Sequence, residues 1–199
     1  MGILEQGESI NLMQKETIGK GLTFSDFLRT EEERDPKDIS TQLVSFLSAR
    51  KLTVSVIESV TGGGISHELV QVPGCSDVFL GGVVAYHSRL KISHGLVAPK
   101  TMAEHGVVSA MVTQEMAAGI KQVTKSDISI ASNGFAGPTN GAFSSDQTGT
   151  VSLSWNIRDK IKKTKRYKIE GGRQDVIKTS VYIALSMCLR YLKNESRKD

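Results

Sequence analysis

The residues of this chain best suited to chemistry fall in three segments where special backbone meets functional side chains. They are Glu58-Ser59-Val60-Thr61-Gly62-Gly63, the pair Tyr86 and Lys91, and Asn133-Gly134-Phe135-Ala136-Gly137-Pro138. A serine hydroxyl is a poor nucleophile without a base. The four histidines, His67, His87, His94 and His105, lie outside the three segments, and no Asp stands where it would orient one of them. Lysine is the alternative base: drawn into a pocket and desolvated, Lys91 would favour its neutral form and could take the proton of Ser59. Tyr86 could relay or orient, and His87 beside it is the reserve base, whereas His67 reads as a helix-surface residue. The glycine turns at Thr61 to Gly63 and Gly134 to Gly137 would let backbone N–H groups approach a phosphate or a developing oxyanion. Each feature also has a plain structural alternative. Ser59 or Thr61 could simply cap a helix, Tyr86 could pack its ring in the core with its hydroxyl at the rim, and Lys91 could be solvated.

The elements that must hold these residues are legible from periodicity. Residues 1–37 lack sustained periodicity and end in an acidic run at Pro36, so they read as an extension or arm. After Asp38, a candidate cap, Ile39, Leu43, Phe46 and Leu47 share one helical face. Leu52, Val54 and Val56 alternate with Thr53 and Ser55, which predicts a strand running into Thr61-Gly62-Gly63-Gly64; a helical pattern follows and stops at Pro73-Gly74. Val78 to Tyr86 is nearly all apolar, broken by Gly81-Gly82, and suits a buried central strand that something approaches closely. The segment carrying Lys91 reads as polar. Ser109 looks like the cap of a helix bearing Val112, Met116, Ile120 and Val123, and Asp127 to Ser132 reads as a further strand that ends in the second glycine loop. Val151, Leu153, Trp155 and Ile157 alternate as one arm of a hairpin with KTKRYKI, and Ile177, Val181, Ala184, Leu185, Cys188 and Leu192 form one helical stripe. Strands alternating with helices, plus one hairpin, predict a three-layer α/β/α sandwich with a mixed sheet. Two of the three segments fall at strand ends, where such sheets bind their ligands. The domain is expected over residues 38–193, followed by a polar tail at 194–199.

Composition narrows the function classes. A chain of 199 residues, 39% hydrophobic and 23% charged, is an ordinary globular one that buries roughly 70% of its unfolded surface. Cys75 and Cys188 lack any CxxC or Cys/His spacing, so they read as buried thiols rather than a zinc site or a disulfide framework. No apolar run approaches the roughly 20 residues of a membrane span, and the first residues lack a basic start followed by an apolar stretch, so a cytoplasmic location is expected. Of the net charge of +4, the first 38 residues carry nine acids against five bases, which leaves the other 161 with +8. That balance suits a phosphorylated small molecule as well as a nucleic acid. The densest patch, Arg158 to Lys168 with seven bases and one acid, reads as a hairpin edge guarded against strand addition rather than a nucleic-acid surface.

At the candidate residues the chain resembles the CinA C-terminal domain family (competence/damage-inducible protein), whose stand-alone relatives include the nicotinamide mononucleotide deamidase PncC. The resemblance rests on ESVTGGGIS at 58–66, VPGCSDVFLGGVVAYHSRLKISHGL at 72–96, HGVVSAMVTQEMAAG at 105–119, NGFAGPTNG at 133–141, GTVSLSW at 149–155 and GGRQDVIKTSVYIAL at 171–185. It implies a dimeric three-layer domain in which Ser59 is the nucleophile, Tyr86 and Lys91 assist it, and Arg173 binds the substrate phosphate. The implied reaction is hydrolysis of the carboxamide of nicotinamide mononucleotide to nicotinate mononucleotide and ammonia, with no metal or organic cofactor. N–H groups of Thr61, Gly62 and Gly63, or of Gly134, Ala136 and Gly137, would hold the oxyanion. Three positions depart from the family pattern: Val60 replaces a cysteine, Asn133 a threonine and Phe135 an isoleucine, and the glycine run after Pro138 is missing. An amide at Asn133 cannot relay a proton as a hydroxyl can. The alternative is therefore a catalytically impaired domain that binds a nucleotide or a protein partner.

Overall fold

The computed structural model describes residues 36–137 and 147–196. The arm expected at 1–37 lies outside these residues save for the backbone of its last two, as do the loop from Pro138 and the end of the tail. Helix α1, Pro36–Arg50, opens on a proline, whose missing N–H costs nothing in a first turn; Asp38 stands within that turn rather than capping it. Strand β1, Val54–Glu58, leads to α2, Gly64–Val70, then a short 3₁₀ turn at Cys75–Asp77 and β2, Phe79–Val84. Next come α3, Ser88–Ser93, α4, Pro99–His105, and α5, Ala110–Thr124, capped by Ser109 as expected. Strands β3, Ile128–Gly134, β4, Thr150–Ile157, and β5, Ile161–Lys168, precede the long α6, Arg173–Glu195.

The strands form one sheet in the order β2-β1-β3-β4-β5. The first three are parallel and the last two antiparallel. Its two faces bury different residue sets, as period-two strands require. Val54, Val56, Ile128, Ile130, Leu153 and Trp155 pack beneath α1, α2 and α6, while Ile57 and Ala131 meet Val112, Met116 and Ile120 of α5. This is the expected three-layer sandwich. Trp155 anchors the first layer by donating Nε1–H to the Ala184 carbonyl at 2.8 Å. Ser129, on the second face, satisfies its buried hydroxyl on the Ala117 carbonyl at 2.6 Å.

Three expectations change. The Val78–Tyr86 segment forms an edge strand, not a central one, among the described residues: there β2 pairs only with β1, and Leu80 and Val84 stay 48% and 45% exposed. Its apolar run resembles a buried strand because the sequence does not record which side lacks a neighbour. The close approach holds at Gly82, where a Cβ would run into Ser66 Oγ of α2, but not at Gly81, where a Cβ would meet nothing within 4 Å. The polar segment around Lys91 is helix α3, and Cys75 is only half-buried, unlike Cys188. The Arg158 to Lys168 patch does form a hairpin turn and the β5 edge.

Candidate active site

The turn after β1 is wound around one carboxylate. Glu58 is fully buried, a position that a charged side chain holds only when its hydrogen-bonding capacity is met. Its Oε2 accepts from Thr61 Oγ1 at 2.6 Å and from the backbone N–H groups of Gly63 and Ile65 at 3.1 and 3.0 Å. Its Oε1 accepts from the Ser66 N–H at 2.9 Å and the Ser66 hydroxyl at 2.7 Å. Thr61 Oγ1 in turn meets Ser132 Oγ on β3. Gly62 and Gly63 have φ of +61° and +102°, which glycine adopts without strain. Ser59 sits at the start of this turn, its N–H on the Ser132 carbonyl at 2.8 Å and its own carbonyl accepting from Gly62 at 3.2 Å. The residue is nearly buried, and its hydroxyl has no hydrogen bond among the described residues. Neither Ser59 nor Thr61 serves as the side-chain cap of α2, whose cap position is Gly63.

Lys91 is the second buried charge. The side chain is 2% exposed, on α3, and Nζ donates to Asn133 Oδ1 at 2.7 Å. Burial lowers its pKa from 10.5 to about 8, because desolvation disfavours the ammonium. Helix α3 is held there by its neighbour. Gly119 of α5 lies so close to the Gly95 carbonyl that no Cβ would fit between them. Asn133 is also fully buried and lies in β3, where the sequence suggested a loop; its Nδ2 donates to the Val107 carbonyl at 2.9 Å. Both ends of the amide are thus engaged by the protein, which sets Asn133 behind the site rather than in an open substrate pocket. The β1–β3 register ends at Glu58 with Ser132, so the residues one step on are Ser59 and Asn133.

A third group lies at the rim. Tyr86 follows β2 and is 62% exposed, so it packs no core, and its hydroxyl accepts from Arg173 Nη2 at 2.9 Å. Arg173 opens α6, and its aliphatic stem lies against Gly137. Tyr86 therefore joins Arg173 rather than Lys91. His87 caps α3 by accepting the Arg89 N–H on Nδ1 at 3.2 Å, and His67 is exposed on α2 as expected.

The expected oxyanion donors narrow considerably. Gly62 N–H is spent on the Ser59 carbonyl and Gly63 N–H on Glu58, while Phe135 N–H bonds the Thr150 carbonyl. The N–H groups of Val60, Thr61, Ala136 and Gly137 make no hydrogen bond among the described residues. Glu58 received no role in the sequence reading. The available signal was a carboxylate placed just before a glycine turn rich in N–H and O–H donors. Among the described residues no three His, Cys, Asp or Glu side chains gather in a way that could hold a metal ion, and no helix is long and apolar enough to cross a membrane.

Comparison with known proteins agrees with this architecture. Residues 36–192 match the model of the CinA C-terminal domain. A CinA-like protein of Thermotoga neapolitana is 39% identical over 155 residues, 78% of this chain but 37% of that protein. One of Dictyoglomus thermophilum is 33% identical over 190 residues, 96% of this chain and 44% of that protein. The chain thus spans less than half the length of these curated relatives. Among solved structures, the competence or damage-inducible protein of Enterobacter asburiae superposes with a TM-score of 0.74 at 32% identity, covering 80% of this chain and 99% of that one. The competence damage-inducible protein A of Klebsiella pneumoniae gives 0.75 at 31%, covering 80% and 98%.

Proposed function

This chain belongs to the CinA C-terminal domain family, and from that footing we propose that it is an amidohydrolase that cleaves the carboxamide of nicotinamide mononucleotide, or a closely similar phosphorylated amide. The observation that carries the proposal is Lys91, a buried lysine with its pKa lowered to about 8 and held by the neutral amide of Asn133, which like Ser59 stands one step past the last β1–β3 pair. About a tenth of such a lysine is neutral at pH 7, enough to act as a general base near neutrality.

In this mechanism Lys91 takes the Ser59 proton as Oγ bonds to the amide carbon. The tetrahedral oxyanion receives N–H donors from Val60 and Thr61 or from Ala136 and Gly137. The protonated lysine returns its proton to the departing ammonia, and water then releases the acyl group from Ser59. Arg173, steadied by Tyr86, takes the phosphate, since a guanidinium matches its geometry. The α2 turn does not compete for that phosphate, because Glu58 already fills its donors. The proposal needs no metal or organic cofactor. It includes a homodimer, for which the apolar edge of β2, unpaired among the described residues, is the surface offered.

Ammonia release from nicotinamide mononucleotide by the purified protein, beside Ser59→Ala and Lys91→Ala, is the test. Turnover lost in both variants supports the amidase. A folded protein without turnover rejects it and favours a binding domain, for which the commitment of Lys91 to Asn133 rather than to Ser59 already speaks. The exposed lysines of β5 favour no nucleic acid beyond their charge.

A further inference from the structure

The turn that carries Ser59 is shaped by a group with no assigned part in the reaction. Glu58 gathers five donors from four residues, Thr61, Gly63, Ile65 and Ser66, spread over both sides of the glycine turn. Among the described residues no cation is hydrogen-bonded to it: each partner is a hydroxyl or a backbone N–H. A buried carboxylate in that setting does not simply fill space. Three N–H groups and two hydroxyls point inward and would lose their acceptor without it, and unmet buried donors reorganise a turn. The connection to Ser59 is direct. Glu58 is the residue before it, and the Thr61 hydroxyl bridges Glu58 to Ser132, the residue whose carbonyl holds the Ser59 N–H. Val60 and Thr61, whose N–H groups make no hydrogen bond among the described residues, lie inside the same loop.

We propose that Glu58 is a positioning residue, an internal acceptor around which the 59–66 turn is wound, so that Ser59 and the Val60 and Thr61 N–H groups are held ready for the reaction. This rests on the assignment of Ser59 as nucleophile made above. A carboxylate is required because both oxygens accept. In a Glu58→Gln variant one of the two positions becomes an NH₂, which faces either Ser66 N–H and hydroxyl or the N–H groups of Gly63 and Ile65, a donor against donors. Glu58→Asp keeps two acceptors on a stem one methylene shorter and restores part of the network.

The test uses the full chain in wild-type, Glu58→Gln and Glu58→Asp forms, with circular dichroism confirming a folded domain. Two readouts are followed: kcat and KM for ammonia release from nicotinamide mononucleotide, and the rate at which a fluorophosphonate labels Ser59, its Oγ displacing fluoride at phosphorus. Loss of placement costs roughly 100-fold in kcat and in labelling rate for Glu58→Gln, with KM within about threefold because the Arg173 end is untouched. Glu58→Asp falls between the two. A folded Glu58→Gln protein with both rates within about twofold of wild type overturns the proposal, as does a loss confined to KM. If Glu58→Gln fails to fold, Glu58→Asp carries the decision: an intermediate labelling rate supports the proposal and a wild-type rate overturns it. Labelling separates this inference from the choice of substrate. A wild-type protein that labels at Ser59 but releases no ammonia removes the proposed substrate and leaves the Glu58 comparison intact. One that neither labels nor turns over removes the nucleophile and this inference with it.

Discussion

Replacing Lys91 by methionine keeps most of the side-chain volume while deleting the charge, and the sign of its effect on stability depends on pH. In the folded protein the Lys91 pKa is lowered from 10.5 to about 8 by burial. Between those values the unfolded chain binds the extra proton and the folded one does not, so wild-type stability rises with pH across that window. Below it, burying the ammonium costs about 3 kcal/mol relative to leaving it in water. The methionine variant escapes that cost but strands Asn133 Oδ1, which now accepts the 2.7 Å bond from Nζ, at a penalty of about 1–3 kcal/mol. The variant should therefore be at least as stable as wild type at pH 7. By pH 10 most of the wild-type penalty has gone, and the difference in unfolding free energy should have moved by about 2.5 kcal/mol in favour of wild type. Urea denaturation of both proteins at a series of pH values reads this directly, because groups common to both cancel in the difference. A difference that stays flat between pH 7 and pH 10 would refute the buried, desolvated lysine on which the base assignment depends. The variant should also have no amidase activity at any pH.

The same lysine sets the pH profile: kcat/KM of wild type should climb with pH and level off above about 8, as the base loses its proton. Asn133→Asp puts a carboxylate beside Nζ, raises the Lys91 pKa and displaces that limb to higher pH, lowering neutral-pH activity about tenfold for each pH step of displacement; an unmoved limb would exclude Lys91 as the titrating base. Arg173→Ala should raise KM for the phosphorylated amide about 10- to 100-fold, the value of one charge-assisted contact, and leave the corresponding nucleoside amide unaffected. Gly82→Ala drives a Cβ into Ser66 Oγ, which should cost about 1–3 kcal/mol in thermal or urea unfolding. Ser66→Ala in the same chain should recover part of that loss, so the pair should be non-additive in a double-mutant cycle.

Much of this protein is determined along the chain itself. Helix α5 with its Ser109 cap, the apolar stripe of α6, the β4–β5 hairpin and the turn after β1 rest on local periodicity and turn chemistry, which act within a few residues and are written in residue order. Ser59, Lys91 and Tyr86 also stand out by residue type, and Arg173 by family resemblance. Which of them meet is a matter of tertiary structure. Val78 to Tyr86 reads as a central strand, yet an edge and a centre differ only in whether a second neighbour arrives from far along the chain, and among the described residues none does. Tyr86 and Arg173 are 87 positions apart and Lys91 and Asn133 are 42 apart; sheet order and helix packing, not spacing, bring each pair together. The lowered pKa of Lys91 has the same origin. A lysine seven residues past the end of β2 is solvated by default; its ammonium loses water here because the tertiary fold buries it, with the Gly95 carbonyl just after α3 packed against Gly119 of α5.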